Sequence, residues 1–318
     1  EEQIPRDATA AAVSRRVAVV GAGPAGVTCA TVAAERGHEV TLFERREAAG
    51  GMLIPGSAPR TKYDVANYRD HLQARLAQVA GRHKLEVRFG VEASAGLLRE
   101  GGYDAVVLCT GGRIARPPVE GIEGARVVQA VDLLEDPSLA RNAGQVVIVG
   151  GGDVGCEVAH FLSRELPGGE ERQITVVEML PHFVKDSCTA HRGYLIHHLE
   201  KAGVALWNCT RLLRVEPGGV AVARNVSSTV PSPYVTWQPV LPENVKNPLA
   251  RPIQVEEREV RLDADLVVLA TGMKADPGLY EACLREHVAP EVHLIGDALA
   301  PATVAEAVKA GDAIGRLL

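Results

Sequence analysis

The chain has 318 residues, 46% of them hydrophobic, 23% charged and 4% aromatic, with 32 glycines and 19 prolines. That length holds two ordinary domains with cores of their own, and the hydrophobic share excludes a disordered chain. A formal charge of −6, with no Lys/Arg run, argues against a nucleic-acid partner, whose phosphates require a basic face.

Residues 1–14 read as a tether or linker. Arg15-Arg16 and the apolar run from Val17 to Ala34 have the outline of a signal peptide, but Gly21, Gly23, Pro24 and Gly26 interrupt it and Glu35 and Arg36 close it. The glycines exclude a membrane helix there, and no other stretch offers one, so no membrane role is expected. The run reads instead as a strand, a glycine turn and a helix: VAVVGAGPAG at 17–26, a helix over 25–36, then the strand VTLFE at 40–44. Over 63–79, Val65, Tyr68, Leu72, Leu76 and Val79 recur at i+3/i+4 spacing and predict another helix. DAVVLCTGG at 104–112 is a buried strand ending in Thr110-Gly111.

The order then repeats. VVIVGGGDVG at 146–155 leads through a helix over 155–166 to ITVVE at 174–178, with a further helix over 190–202. DLVVLATGM at 265–273 echoes the strand at 104–112, with Thr271-Gly272 in place of Thr110-Gly111. Between these, the proline-rich residues 227–253 show no helical period and read as a surface excursion. EVHLIGD at 291–297 is a short strand ending in Gly296-Asp297, and a helix over 303–318 closes the chain.

The offset of about 130 residues between the halves suits duplicated domains and is too long for a solenoid repeat. Continuous β-branched runs without polar alternation indicate parallel strands covered on both faces. Strands alternating with helices give an α/β chain of two doubly wound, Rossmann-like dinucleotide-binding domains, the second inserted in the first. The expected bounds are 1–118 with 279–318 for the outer domain and 119–278 for the inserted one.

The chemistry lies in the turns. Gly21 permits the tight strand-to-helix turn, Gly23 lets backbone approach a pyrophosphate, and Gly26 allows close helix–strand packing; Pro24 and Ala25 open the helix whose N-terminus would face the phosphates. A GxGxxG by itself is weak evidence, but here Glu44 ends the next strand 21 residues after Gly23, where a carboxylate accepts ribose hydroxyls. Gly150, Gly152, Asp153 and Val154 form the second turn, and Glu178 ends its strand in the same way. Glu178 would repel a 2′-phosphate, and Met179, Leu180 and Pro181 bring no arginine to hold one. NADH is therefore expected over NADPH, with Lys185 and Arg192 further along as the residues that weigh against it. Two such sites in one chain suggest a hydride passed from one bound cofactor to another. Asp297 suits hydrogen bonds from a ribityl chain, and the helix N-terminus at Thr303 and Val304 favours negative charge on a reduced flavin.

Taken together, GAGPAG, Glu44 with Arg45, Gly50-Gly51 with Met52 and Leu53, both Thr-Gly strand ends and Gly296-Asp297 resemble the two-dinucleotide-domain flavoproteins. Within them, GHEVTLFERREAAGGML, VVIVGGGDVGCEVAHFL and HLIGDALAPATVAEAVKAG look like the branch of 2,4-dienoyl-CoA reductase, trimethylamine dehydrogenase and related old-yellow-enzyme-type reductases. The resemblance implies FAD at Gly21–Gly26, Glu44 and Asp297, NADH at Gly150–Gly155 and Glu178, and electrons passed onward. In that family a TIM barrel carrying FMN and a 4Fe–4S cluster precedes this module and would be its partner, as a separate subunit or as the rest of a longer chain; a module acting alone stays open. It also implies an ion pair of Lys62 with Glu157 beside the flavin. A second reading keeps ADP in the first site as a structural nucleotide, with the module taking no part in turnover.

Cys29, Cys109, Cys156, Cys188, Cys209 and Cys283 form no CxxC pair, which counts against a thiol-disulfide reductase and a locally ligated cluster, and suggests a reducing, cytoplasmic setting. Cys109 and Cys156 read as small buried hydrophobes. His191, His197 and His198 read as solvated side chains, since 191 and 198 are two turns apart and no carboxylate or cysteine completes an HxxxH-type set, and no metal is expected.

Overall fold

The computed structural model describes residues 9–124, 126–185, 187–237, 244–245 and 251–318. They fall into two compact units: one of the described residues up to Ser57 with Lys62–Ala115 and Met273–Leu318, the other of Ala58–Thr61 with Arg116–Gly272. The first unit opens with β1 (Arg16–Val20), α1 (Pro24–Glu35), β2 (Glu39–Phe43), the single turn α2 (Leu53–Gly56), α3 (Tyr63–Ala80), β3 (Leu85–Arg88), α4 (Ala95–Gly101), β4 (Ala105–Leu108) and β5 (Arg113–Ile114). The second unit carries β6 (Val127–Gln129), α5 (Ala130–Glu135), β7 (Gln145–Val149), α6 (Asp153–Arg164), β8 (Gln173–Val177), α7 (Thr189–Lys201) and β9 (Ala205–Trp207). It continues through β10 (Thr210–Glu216), β11 (Gly219–Asn225), β12 (Glu257–Asp263) and β13 (Leu266–Leu269). The chain then re-enters the first unit with β14 (Met273–Lys274), α8 (Gly278–Arg285), β15 (Glu291–Leu294) and α9 (Val304–Leu317).

The same sheet is built twice. The first unit orders its five parallel strands β15-β4-β1-β2-β3, and the second orders its own β6-β13-β7-β8-β9. In each, the strand before the glycine turn is central, with the acid-bearing strand on one side and the Thr-Gly strand on the other. Strand periodicity divides the side chains between the faces. Val17 and Val19 pack with α1, α3 and α9 residues, while Ala18 and Val20 pack with Leu98 of α4 and Cys283 of α8. Likewise Val146 and Ile148 join the helical core of the second unit. Val147 and Val149 instead meet Leu212, Val220 and Val222 of the antiparallel sheet β10-β11-β12. One face of the second sheet is thus covered by strands rather than helices, which no sequence motif announced.

The predicted helices appear within one or two residues of their expected ends, the larger offset being α6, which starts at Asp153 because Gly152 serves as its N-cap. Helix ends obey local chemistry: Ser94 accepts from the Leu97 N–H at α4, Gly102 closes that helix in the left-handed region, and Thr303 with Glu306 forms a capping box on α9. Of the expected tether, residues 9–14 return to the end of α1 through Ala11 N–H to Arg36 O (2.9 Å) and Ser14 Oγ to Gly37 O (2.7 Å); residues 1–8 lie outside the described residues. The proline-rich excursion lies between β11 and β12, its described ends tied by Asn225 Nδ2 to Gln254 O (2.8 Å) and Asn208 Nδ2 to Pro231 O (2.8 Å). Among the described residues no helix is long and apolar enough to cross a membrane.

Candidate functional site: two glycine turns and their carboxylates

Each unit places a glycine turn at the C-terminal end of its central strand. Gly21 and Gly150 sit in the left-handed region (φ +99° and +108°), and an added Cβ would lie 2.3 Å from the carbonyl oxygen of Cys109 or Ala270, the residue just past the neighbouring strand. Gly26 and Gly155 are tighter still: their Cβ would meet the first glycine's own carbonyl at 1.8 and 1.9 Å. The middle positions differ. A Cβ on Gly152 would meet nothing within 4 Å, and one on Gly23 only the Gly51 Cα at 3.9 Å. Gly23 and Gly152 are also the N-caps of α1 and α6, and neither receives a side-chain cap. No side chain caps the first turn of either helix, and the backbone at Gly23 and Gly152 is open to close approach, which suits an anionic pyrophosphate.

The acids complete the repeat. Glu44 is buried, with one carboxylate oxygen accepting from Ala22 N–H at 2.7 Å and the other from Arg46 N–H at 2.9 Å. Glu178 is buried and does the same with Gly151 N–H at 2.6 Å and Leu180 N–H at 2.7 Å. Each oxygen keeps a lone pair for a further donor, such as a ribose hydroxyl. Arg45, one residue past Glu44, is exposed, as are Met179 and Leu180 past Glu178. Arg192 is buried and donates to Thr236 O at 3.4 Å, whereas Lys185 is exposed.

In the first unit, the remaining expected positions gather around Gly23. Gly51 approaches Gly23 closely enough that its Cβ would come within 2.9 Å of the Gly23 Cα, with exposed Met52 and buried Leu53 next in the chain as it enters α2. Gly296 adjoins Ala25, a Cβ on it meeting the Ala25 Cβ at 3.3 Å. This brings Asp297 beside the start of α1. Asp297 Oδ1 accepts from Ala302 N–H at 3.1 Å, which holds the carboxylate and the chain leading to exposed Thr303 and Val304. Thr110 is exposed, and Gly111 (φ +77°) and its counterpart Gly272 (φ +82°) have open space where a Cβ would stand. Each unit thus has the glycine turn and the carboxylate that fit the pyrophosphate and ribose of a dinucleotide.

Lys62 precedes α3 in the first unit, and Glu157 lies on α6 in the second. The structure corrects the reading of His191 as a solvated side chain without a carboxylate partner. Packing of α7 on α6 brings its Nε2 to 3.4 Å from Asp153 Oδ1 and 3.6 Å from Glu157 Oε1. No motif linked these residues because they come from different helices. Val154, beside Asp153, is half exposed at 51%.

All six cysteines are free, and Cys29, Cys109, Cys156 and Cys283 are buried. Burial pushes the Cys29 thiol up to about 12 and raises Cys109 and Cys156 as well. Thiols held protonated in this way do not act as nucleophiles at neutral pH.

Twin parallel sheets, each with a phosphate-ready glycine turn and a carboxylate at the next strand's end, define the dinucleotide-binding flavoprotein oxidoreductases. A family model described as pyridine nucleotide-disulphide oxidoreductase matches residues 15–311, and the chain belongs to that family. The family binds FAD and NAD(P)H. The chain is 35% identical over 213 residues to an NADH oxidase of Thermoanaerobacter brockii, a match covering 66% of this chain and 31% of the relative. It is 29% identical to a metal reductase of Desulforamulus reducens across 92% of this chain and 42% of that protein. A solved 2-naphthoyl-CoA reductase, in complex with 2-naphthoyl-CoA, superposes with a TM-score of 0.79 at 26% identity, covering 98% of this chain and 41% of that one. The chain thus spans about a third to two fifths of the length of these relatives.

Proposed function

We propose that the chain is an NADH-oxidising flavoprotein module, taking NADH on the second unit, FAD on the first, and passing electrons to a further redox centre. The observation that carries this reading is the duplicated geometry: two open, uncapped helix N-termini, each next to a buried carboxylate held by backbone N–H groups. FAD when bound supplies two-electron acceptance from a hydride donor and one-electron release to the next acceptor. The chain's own work is binding and orientation. The α1 and α6 N-termini take the pyrophosphates, Glu44 and Glu178 take the ribose hydroxyls, and Asp297 offers an acceptor beside the start of α1. Lys62 and Glu157 are assigned to orienting the reacting rings, a role that near wild-type turnover in Glu157→Ala would remove.

NADH is preferred because Glu178 opposes a 2′-phosphate while Met179 and Leu180 bring no cation to it. The onward acceptor we propose is an FMN and 4Fe–4S barrel, in keeping with the greater length of the oxidase and the reductase that this chain matches in part. The six free cysteines suit a reducing, cytoplasmic setting.

The test is the visible spectrum of the purified protein before and after anaerobic NADH, with identification of the nucleotide that heat releases. Released FAD and a spectrum bleached by NADH are expected. Released ADP without a chromophore would overturn the reading in favour of a structural nucleotide-binding module.

A further inference from the structure

We propose that the second unit holds a divalent transition-metal ion between Asp153, Glu157 and His191. Asp153 and Glu157 are four residues apart in the first turns of α6, so their carboxylates project from one face of that helix. His191 enters from the first turn of α7, which packs against α6. One ligand atom from each of the three residues lies within 4.8 Å of the others.

The spacing favours an ion over a shared proton. A charge-assisted N–H to carboxylate hydrogen bond is about 2.7–2.9 Å long. His191 Nε2 stands off at 3.4 Å from Asp153 and 3.6 Å from Glu157. Ligands bound at about 2.0–2.1 Å in a tetrahedron are separated by roughly 3.3–3.4 Å along its edges, close to both distances. The three ligand atoms therefore lie at separations that a single small ion can bridge.

The donor set selects the ion's class. One imidazole and two carboxylates suit zinc or another divalent 3d ion, whereas calcium takes six to eight oxygens and copper(I) prefers sulfur. Ser187 Oγ donates to Asp153 Oδ1 and so holds that carboxylate's orientation, the kind of outer contact that ligating side chains carry. All three ligands are partly accessible, so an ion can enter from solvent, and three protein ligands leave a fourth position for water. A divalent ion would also neutralise two carboxylates with a neutral imidazole, removing negative charge from the N-terminal turns of α6.

The site shares Glu157 with the ring-orienting role proposed above, so the experiment is run without added NADH and reads metal binding alone. The full chain is stripped with chelator and titrated with Zn²⁺ by calorimetry, and with Co²⁺ by its d–d bands at wavelengths beyond flavin absorption. One equivalent is expected to bind, with tetrahedral Co²⁺ intensities. His191→Ala and Asp153→Asn should each weaken binding at least about tenfold, and His198→Ala on the same helix should leave it unchanged. His191→Gln is measured beside them, with far-UV circular dichroism to establish that each variant is folded. No saturable binding by wild type, or equal binding by wild type and a folded His191 variant, would overturn the proposal.

Discussion

The Glu178 carboxylate accepts the Gly151 N–H at 2.6 Å, clamping the end of one strand to the glycine turn of its neighbour. Its second oxygen takes the Leu180 N–H at 2.7 Å, and Glu44 repeats both bonds in the first unit with Ala22 and Arg46. The acid therefore shapes its own turn and still keeps a lone pair on each oxygen for a further donor. Glu178→Ala should lower stability by about 1–3 kcal/mol, because buried N–H groups lose their acceptor, and weaken NADH binding roughly tenfold or more. Calorimetric unfolding and NADH fluorescence titration measure the two effects separately; unchanged stability would mean that the clamp contributes nothing.

Two glycines three positions apart should fail differently. Gly155→Ala drives a Cβ to within 1.9 Å of the Gly150 carbonyl and should cost about 3 kcal/mol or more, seen as a large fall in Tm. Gly152→Ala meets no neighbour within 4 Å, so its stability should stay within about 1 kcal/mol of wild type. Its NADH affinity should nevertheless fall, since the methyl would stand where the pyrophosphate approaches the helix. Normal NADH binding by a folded Gly152→Ala would argue against a dinucleotide there.

Cofactor choice should respond to Met179. It is exposed directly after Glu178, and Arg192 is occupied by Thr236 and buried. Wild type should therefore favour NADH, and Met179→Arg should raise the NADPH affinity by about tenfold, the scale of one charge-assisted contact. Steady-state flavin reduction with each nucleotide checks this, and an unchanged ratio would implicate exposed Lys185 instead.

Acid should destabilise the first unit through His38. This side chain is fully buried, and its Nδ1 accepts from Arg15 N–H at 3.1 Å, which requires the neutral ring. Burial first, then the positive charges of Arg36 and Arg15, lower its pKa below the ordinary value of 6.5. The unfolded chain therefore binds the proton first as pH falls. The stabilisation is complete above about pH 6.5 and is lost as the pH drops from there toward the lowered folded value. Unfolding measured from pH 8 to pH 5 should show this slope, and His38→Gln, which keeps an acceptor without titrating, should flatten it.

The repeated strand–turn–helix units and the helix limits were legible in the sequence. Glycine at fixed offsets, β-branched runs and i+3/i+4 periodicity are local constraints, each enforced by backbone sterics within a few residues. That is why Gly21, Gly23, Gly26 and Glu44, and their counterparts Gly150, Gly152, Gly155 and Glu178, could be named from spacing alone. The antiparallel sheet over Val147 and Val149 was not legible, because its strands carry no motif and only the exposed face of the parallel sheet gives them a place.

His191 shows the same limit at the site. No ligand-type spacing surrounds it in the sequence, and the meeting with Asp153 and Glu157 arises only when α7 packs on α6 through Leu195, Ile196 and Leu199. The burial of Arg192 has the same origin, since its guanidinium reaches a carbonyl of the later loop. Sequence determined the two glycine turns because the constraints that shape them are local. Tertiary packing alone decided which distant side chains share a site, because burying a common core sets the register of one helix against another.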